Sequence, residues 1–533
     1  MPAVDFRTFS RSVVANFLQT VVVLDDGAFM EPDESGEPLV EPDPDAPILD
    51  ETTEDPGTPI LVRTDNSLDA RLLIDGFASQ GLICAVLLPW TGNDIAAPTL
   101  NASRRADIVI LDWQLGDDGE KATLIMQRLL LSDEQAGGRL RMIVIYTASP
   151  NLEEVRDSVA SALPDFAYEG GSNGLGIALA SKKCRIVFLR KGRATGAGDA
   201  VREDALANRL MDEFVELARG LLANVALGAI AAIRDETHRV LARLHGGLDG
   251  PFLTHRLLLV TPDDAEDYVV DLLSSEFHAL LQSRGLGQKH VQRDVIEGAL
   301  IERERSGQEF RLMRARNDDR QTVTVTREDV MKLVDLGPAG LSSIQNVGIA
   351  ENKLHERLYV LLEADHQSGL AKHYEFARAS ALVRESATCG IGWVPRLGLG
   401  TIVKNGEGYL ICIQPLCDAV RLKGPTQFIF APLTIDPAKF DVVVKSPEGV
   451  DTCLRLGAQA SLIRTVTFAP DPRLGVIQAS KKGDSRVFTG SEAQECVWIA
   501  DLRTSFAQRM VHRIATNLSR IGLDEFEWQR RHS

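Results

Sequence analysis

Cysteine is scarce in this chain: seven in 533 residues, odd in number and irregularly spaced. That excludes a disulfide framework and suits a reducing compartment. No apolar run of about 18 residues occurs, and the opening MPAVDFRTFSRSVV lacks the long apolar core of a signal peptide. A soluble, cytoplasmic protein is therefore expected. Basic residues are also in deficit, with 58 Lys and Arg against 75 Asp and Glu and a formal charge of −17. This argues against coating nucleic acid or an anionic membrane. Eleven of the acidic residues, however, lie between Glu31 and Asp55 with no basic residue among them, so the rest of the chain is only mildly acidic. Prolines at 32, 38, 42, 44, 47, 56 and 59 fall in the same region. A composition of this kind buries almost nothing, and a disordered acidic insertion is expected over 31–59.

Elsewhere, 44% hydrophobic and 25% charged residues are ordinary for a globular protein, and the length suggests roughly three domains. Val21-Val22-Val23-Leu24 reads as a buried parallel strand running into Asp25-Asp26. Leu68, Leu72, Leu73 and Phe77 repeat at helical spacing, and Leu82–Leu88 is a second apolar run. Ile108–Leu111 then ends at Asp112, a helix carries Leu124, Ile125, Leu129 and Leu130, and Arg141–Tyr146 ends at Thr147. Asn151–Leu163 reads as a helix, and Arg185–Arg190 as a strand ending at Lys191. Alternation of this kind predicts an α/β doubly wound parallel sheet. Leu206, Leu210, Phe214, Leu217, Leu221, Val225 and Ile230 then mark one apolar face. They predict a long connecting helix over 201–244 that would serve as a connector or a homodimer seam. Residues 251–385 read as a mainly helical middle, broken by a turn and strand at 318–326. Residues 386–533 read as a β-rich C-terminal module with Thr401–Val403, Tyr409–Ile413, Phe428–Phe430 and Val442–Val444 as strands and a last helix near 505–521. The expected domains are thus 1–200, 201–250, 251–385 and 386–533.

In open parallel sheets, ligands bind at the carboxyl ends of the strands, which here carry Asp25-Asp26, Asp112, Thr147 and Lys191. Their order and chemistry resemble the receiver domain of two-component response regulators, over roughly residues 15–220. The resemblance implies that Asp112 is the phosphoacceptor and that Mg²⁺ is bound by Asp25, Asp26, Asp112 and the backbone carbonyl of Gln114. It also implies that Lys191 pairs with the phosphoryl group and that Thr147 donates a hydrogen bond to it. The chemistry is coherent, because a carboxylate can attack a phosphohistidine only if the charge on the phosphoryl oxygens is neutralised by a hard cation and an ammonium group. The loop Asp112–Gly119 resembles the family's D-W-x-M-P-x-x-D-G turn but is one residue shorter, with Gly116 where proline is usual. Gly192 follows Lys191 where proline is usual, and about twenty extra residues separate the fourth and fifth strands.

Other signals are weaker. Cys412 and Cys417, with Cys389 and Cys453 nearby, lack a second paired knuckle and read as structural thiols. His366 and His373 lack metalloprotease spacing, and the glycine-rich stretch 170–176 has no phosphate-loop signature; they read as a helix surface and a loop. The mixed charge of Arg509–Arg531 reads as a solvated face, so neither nucleic acid nor membrane is an expected partner. The expected function is a two-component phosphorelay protein that takes a phosphoryl group from a partner histidine kinase. It would act as a signalling relay or as a phosphate sink beside a second receiver-bearing effector. A long atypical receiver followed by a large C-terminal region also resembles response-receiver proteins of bacterial antiphage two-component systems. The alternatives are a phosphorylation-gated effector enzyme, a transcriptional regulator and a phosphorylation-independent scaffold.

Overall fold

The computed structural model describes residues 3–29, 67–91, 94–115, 119–169, 177–181, 184–192, 200–262, 264–316, 319–344, 358–363, 365–386, 392–406 and 408–518. The acidic insertion, the loop 170–176, Cys389, Gly116 and the tail beyond Leu518 lie outside them. The chain divides into two compact units, one of residues 1–257 and 265–299, the other of 258–264 and 300–533.

In the first unit, a helix α1 (Phe6–Phe17) leads into β1 (Thr20–Leu24). Then follow α2 (Ala70–Ala78), β2 (Ile83–Leu87), α3 (Ala97–Arg105), β3 (Ile108–Leu111), α4 (Glu120–Gln135), β4 (Arg141–Thr147) and α5 (Leu152–Ala162). Two short strands, β5 (Ala167–Glu169) and β6 (Ile177–Ala180), precede β7 (Cys184–Lys191), β8 (Ala200–Val201) and α6 (Glu203–Ala218). The strands lie in the order β2-β1-β3-β4-β7-β6-β5, with β8 beside the end of β7. β2, β1, β3, β4 and β7 are parallel, and this order makes a doubly wound sheet with its crevice between β1 and β3. Alternate residues feed two cores. Val21, Val23, Ile108, Ile110, Val144, Tyr146, Val187 and Leu189 pack under α1, α2 and α6. Val22, Leu24, Val109, Leu111, Ile143, Ile145, Ile186 and Phe188 pack under α4 and α5. Burial on both faces is why these strands read as unbroken apolar runs.

Two expectations need correction. The extra residues between the fourth and fifth strands build β5 and β6, an antiparallel pair that extends the sheet beyond β7. The helix expected over 201–244 is three helices: α6, α7 (Leu221–Asp235) and α8 (Thr237–Arg243), with α6 and α7 bent by 120° at Arg219-Gly220. The reason is that the apolar face serves two different surfaces. Leu206, Leu210, Met211 and Phe214 of α6 cover the parallel sheet, so α6 is the closing helix of the N-terminal fold and not a free seam. α7 turns away to pack on α1, where Asn224 hydrogen-bonds Ser10 and Arg234 reaches the Phe17 carbonyl and Asp107. Helices 249–258, 264–283, 286–291 and 293–305 continue from there, and Val295 and Ala299 hold Phe6.

The second unit opens with a three-stranded antiparallel sheet, 319–325 beside 310–316 beside 358–361, of which only the strand within 318–326 was expected. The β-rich module contains a closed barrel. Strands 426–430, 464–468, 485–489, 495–502, 401–405 and 408–412 follow one another around it. A Phe468–Gly490 bridge and the Ser491 N–H donating to the Thr467 carbonyl join the last gap. Its interior is filled by Val403, Leu410, Phe428, Phe430, Phe468 and Trp498. Cys412 is buried there while Cys417 is exposed, and His373 binds the Val360 carbonyl at 2.8 Å. Among the described residues no single helix is long and apolar enough to cross a membrane.

Candidate functional site

Each sequence-selected side chain stands at the carboxyl end of a parallel strand. β1 ends at Leu24 and β3 at Leu111, paired in register, so Asp25 and Asp112 emerge side by side, and the Asp112 N–H donates to the Leu24 carbonyl at 3.0 Å. β4 lies between β3 and β7, which places Thr147 between the strands that carry Asp112 and Lys191. The structure brings Asp25, Asp26 and Asp112 together, with one carboxylate oxygen from each within 4.8 Å of the others. Lys191 Nζ donates to Asp25 Oδ2 and to Asp112 Oδ2, both at 2.9 Å. The other oxygens of these carboxylates accept backbone N–H groups, from Gly27 at 2.8 Å and Gln114 at 3.1 Å. Asp25, Asp112, Thr147 and Lys191 are each at most 3% exposed, whereas Asp26 is open to solvent. The Thr147 hydroxyl accepts the Ser149 N–H at 3.2 Å.

The electrostatics follow from this burial. Desolvation raises the Asp25 carboxyl above its ordinary 3.8, against the attraction of Lys191 and with the repulsion of Asp112 added. Asp26 is raised by desolvation and by Asp112, with Lys191 and Lys121 pulling the other way. A cluster of three carboxylates against one ammonium is short of positive charge, and a hard divalent cation with oxygen ligands fits it. Among the described residues this is the only group of acidic, histidine or cysteine side chains arranged to hold a metal ion.

The unusual glycine after Lys191 has a structural cause. Lys191 pairs with Val201 of β8, and a Cβ on Gly192 would come within 2.6 Å of the Arg202 backbone. One link was not expected from the sequence: the Tyr146 hydroxyl, next to Thr147, donates to the Val201 carbonyl at 2.6 Å. It ties the strand end at the site to the residues that start α6. A second is Lys121, in the first turn of α4, whose ammonium lies 5.1 Å from the Trp90 ring. Tyr146 gave no sequence signal beyond lying in an apolar run, and Lys121 none at all.

No curated protein and no solved structure matches the chain. Residues 17–196 match the family model described as the response receiver domain, and the sheet order and acidic pocket lie within or at the border of that match. The chain therefore carries a response-regulator receiver domain, the phosphoryl-accepting kind of module found in two-component signal transduction.

Proposed function

We propose that Asp112 is the phosphoacceptor of a Mg²⁺-dependent phosphorelay fed by a partner histidine kinase. The observation that carries this reading is the arrangement of three carboxylates within 4.8 Å with Lys191 at 2.9 Å from two of them. Asp25, Asp26, Asp112 and the Gln114 carbonyl would hold Mg²⁺, which when bound neutralises the phosphoryl oxygens and the carboxylates together. An Asp112 oxygen forms the new P–O bond as the P–N bond of the donor phosphohistidine breaks. The electron pair of that bond goes to the imidazole nitrogen, which takes up a proton from solvent. Lys191, already beside Asp112, stays next to the new charge, and the Thr147 hydroxyl exchanges its local contact for one to the phosphoryl oxygen. The aspartyl phosphate adds about −1.5 to −2 charges at the sheet edge, one residue from the Tyr146–Val201 link, so α6 is the route toward the rest of the chain.

The partner role follows from the resemblance of the whole layout: a relay, or a sink drawing phosphoryl groups from a second receiver-bearing effector, in an antiphage two-component system. The core of the proposal is tested by incubating the full chain with acetyl phosphate and Mg²⁺. An acid-stable, hydroxylamine-labile phosphate is expected on the wild type and absent from Asp112→Ala. Equal labelling of both, or none on the wild type, would overturn it.

A further inference from the structure

The open side of the acidic pocket is built differently from its buried side. Lys191 occupies the buried side. Near exposed Asp26 the nearest structured cation is carried by α4, whose start is fixed by its loop: Trp113 fills the space that a side chain on Gly119 would need, with ring atoms 2.0 Å from where a Cβ would sit. Two residues on, Lys121 projects its ammonium over Trp90 at 5.1 Å, a separation at which the ring face attracts a cation. Trp90 is itself held. Trp90-Thr91 pairs with Asp94-Ile95 in a small hairpin, the Ala96 N–H donates to the Pro89 carbonyl at 3.0 Å, and Asp94 lies 3.8 Å from Arg128 on α4. A hairpin after β2 and the first turns of α4 thus hold one ammonium at the rim, where its field reaches Asp26.

We propose that Lys121 is the positioning residue for the incoming phosphoryl donor, drawing its anionic oxygens to the Asp26 side of the pocket so that the phosphorus arrives between two ammonium groups. The proposal rests on the Asp112 reading and adds to it a donor-binding residue on the exposed side. The physical need is plain. Three carboxylates repel a dianionic donor until the cation is bound, and an exposed positive charge at the mouth raises the local concentration of such a donor. The same charge must disfavour a divalent cation at Asp26. Lys121 therefore has opposite effects on the two ligands of the site, which a residue needed only for folding would not.

The experiment uses the full chain as wild type, Lys121→Gln and Lys121→Arg, with phosphoramidate as donor and saturating Mg²⁺. Labelling of Asp112 by Lys121→Gln should be slower by roughly three- to tenfold at low ionic strength, with the difference closing in high salt. Lys121→Arg, which keeps the charge, should retain most of the rate. Mg²⁺ affinity, read from intrinsic tryptophan fluorescence, should hold or increase in Lys121→Gln. Wild-type labelling rates in Lys121→Gln at low salt would overturn the proposal, as would a loss that is equal at every salt and comes with weaker Mg²⁺ binding. A wild-type chain that takes up no phosphoryl group fails earlier and overturns the Asp112 reading together with this one.

Discussion

Asp25 is ionised only against its own burial, and this fixes how the acidic pocket should respond to pH. Its carboxyl is raised above 3.8 because desolvation outweighs the Lys191 ammonium, so the folded chain holds a proton at pH values where the unfolded chain has released it. Ionised Asp25 therefore costs stability above its folded value, and the cost falls away as pH drops through that value toward 3.8. A divalent cation has to displace the same proton, and Asp26 is raised as well. Mg²⁺ affinity should accordingly begin to fall at a pH above 3.8, and a titration calorimetry series across the acid range checks it. Affinity that stays flat until the ordinary carboxylate range would contradict the burial argument. These carboxylates, with Thr147 and Lys191, were legible in the sequence because each follows an apolar run long enough to be a buried strand, and a polar residue there has only the sheet edge to occupy. Lys121 was not, since a lysine in the first turn of an amphipathic helix looks like any solvated charge until Trp90, distant in sequence, is brought beneath it.

The link from Tyr146 to Val201 joins the two elements that a phosphoryl group would have to couple. Tyr146 faces the core under α6, and its hydroxyl finds its acceptor in the short strand that precedes that helix. Replacing Tyr146 with Phe leaves the ring in place and strips a buried carbonyl of its donor, at a cost of about 1–3 kcal/mol in chemical denaturation. Hydrogen exchange should rise selectively over 200–218, and the change in exchange there on phosphorylation should shrink. Unchanged exchange over that segment would remove the link from the signalling route. At this scale the sequence was legible only in part. Helical periodicity through Leu206–Ile230 is real, but one periodic face cannot reveal that its first half covers a sheet and its second half covers α1; the 120° bend between them is a tertiary fact. The antiparallel pair β5–β6 was hidden in the same way, because its neighbour is decided by pairing with β7 and not by local pattern. Barrel closure between Phe468 and Gly490 is a contact between segments that carry no shared signal.

Across the whole molecule the charge is lopsided, and the place where the acidic stretch leaves the fold gives that asymmetry a consequence. Ala28-Phe29 pairs in parallel with Leu68-Asp69 immediately after Asp25-Asp26, so the two ends of the segment that contains the eleven acidic residues between Glu31 and Asp55 are joined beside the pocket. The receiver fold does not depend on the chain between these ends for its strand order. Its length enters loop closure only logarithmically, so replacing 31–65 with a short Gly-Ser linker should change the unfolding free energy by no more than about 2 kcal/mol. Its charge acts differently. Anionic residues tethered at the mouth oppose an anionic donor within a Debye length of about 8 Å at physiological ionic strength. The shortened chain should therefore label Asp112 faster with phosphoramidate at low salt and at the wild-type rate at high salt. The segment screens the pocket if donors of every size gain alike. It serves instead as a partner contact if phosphoramidate labelling is unchanged while transfer from a phosphorylated histidine kinase is lost, because only a macromolecular donor can touch residues that lie outside the pocket.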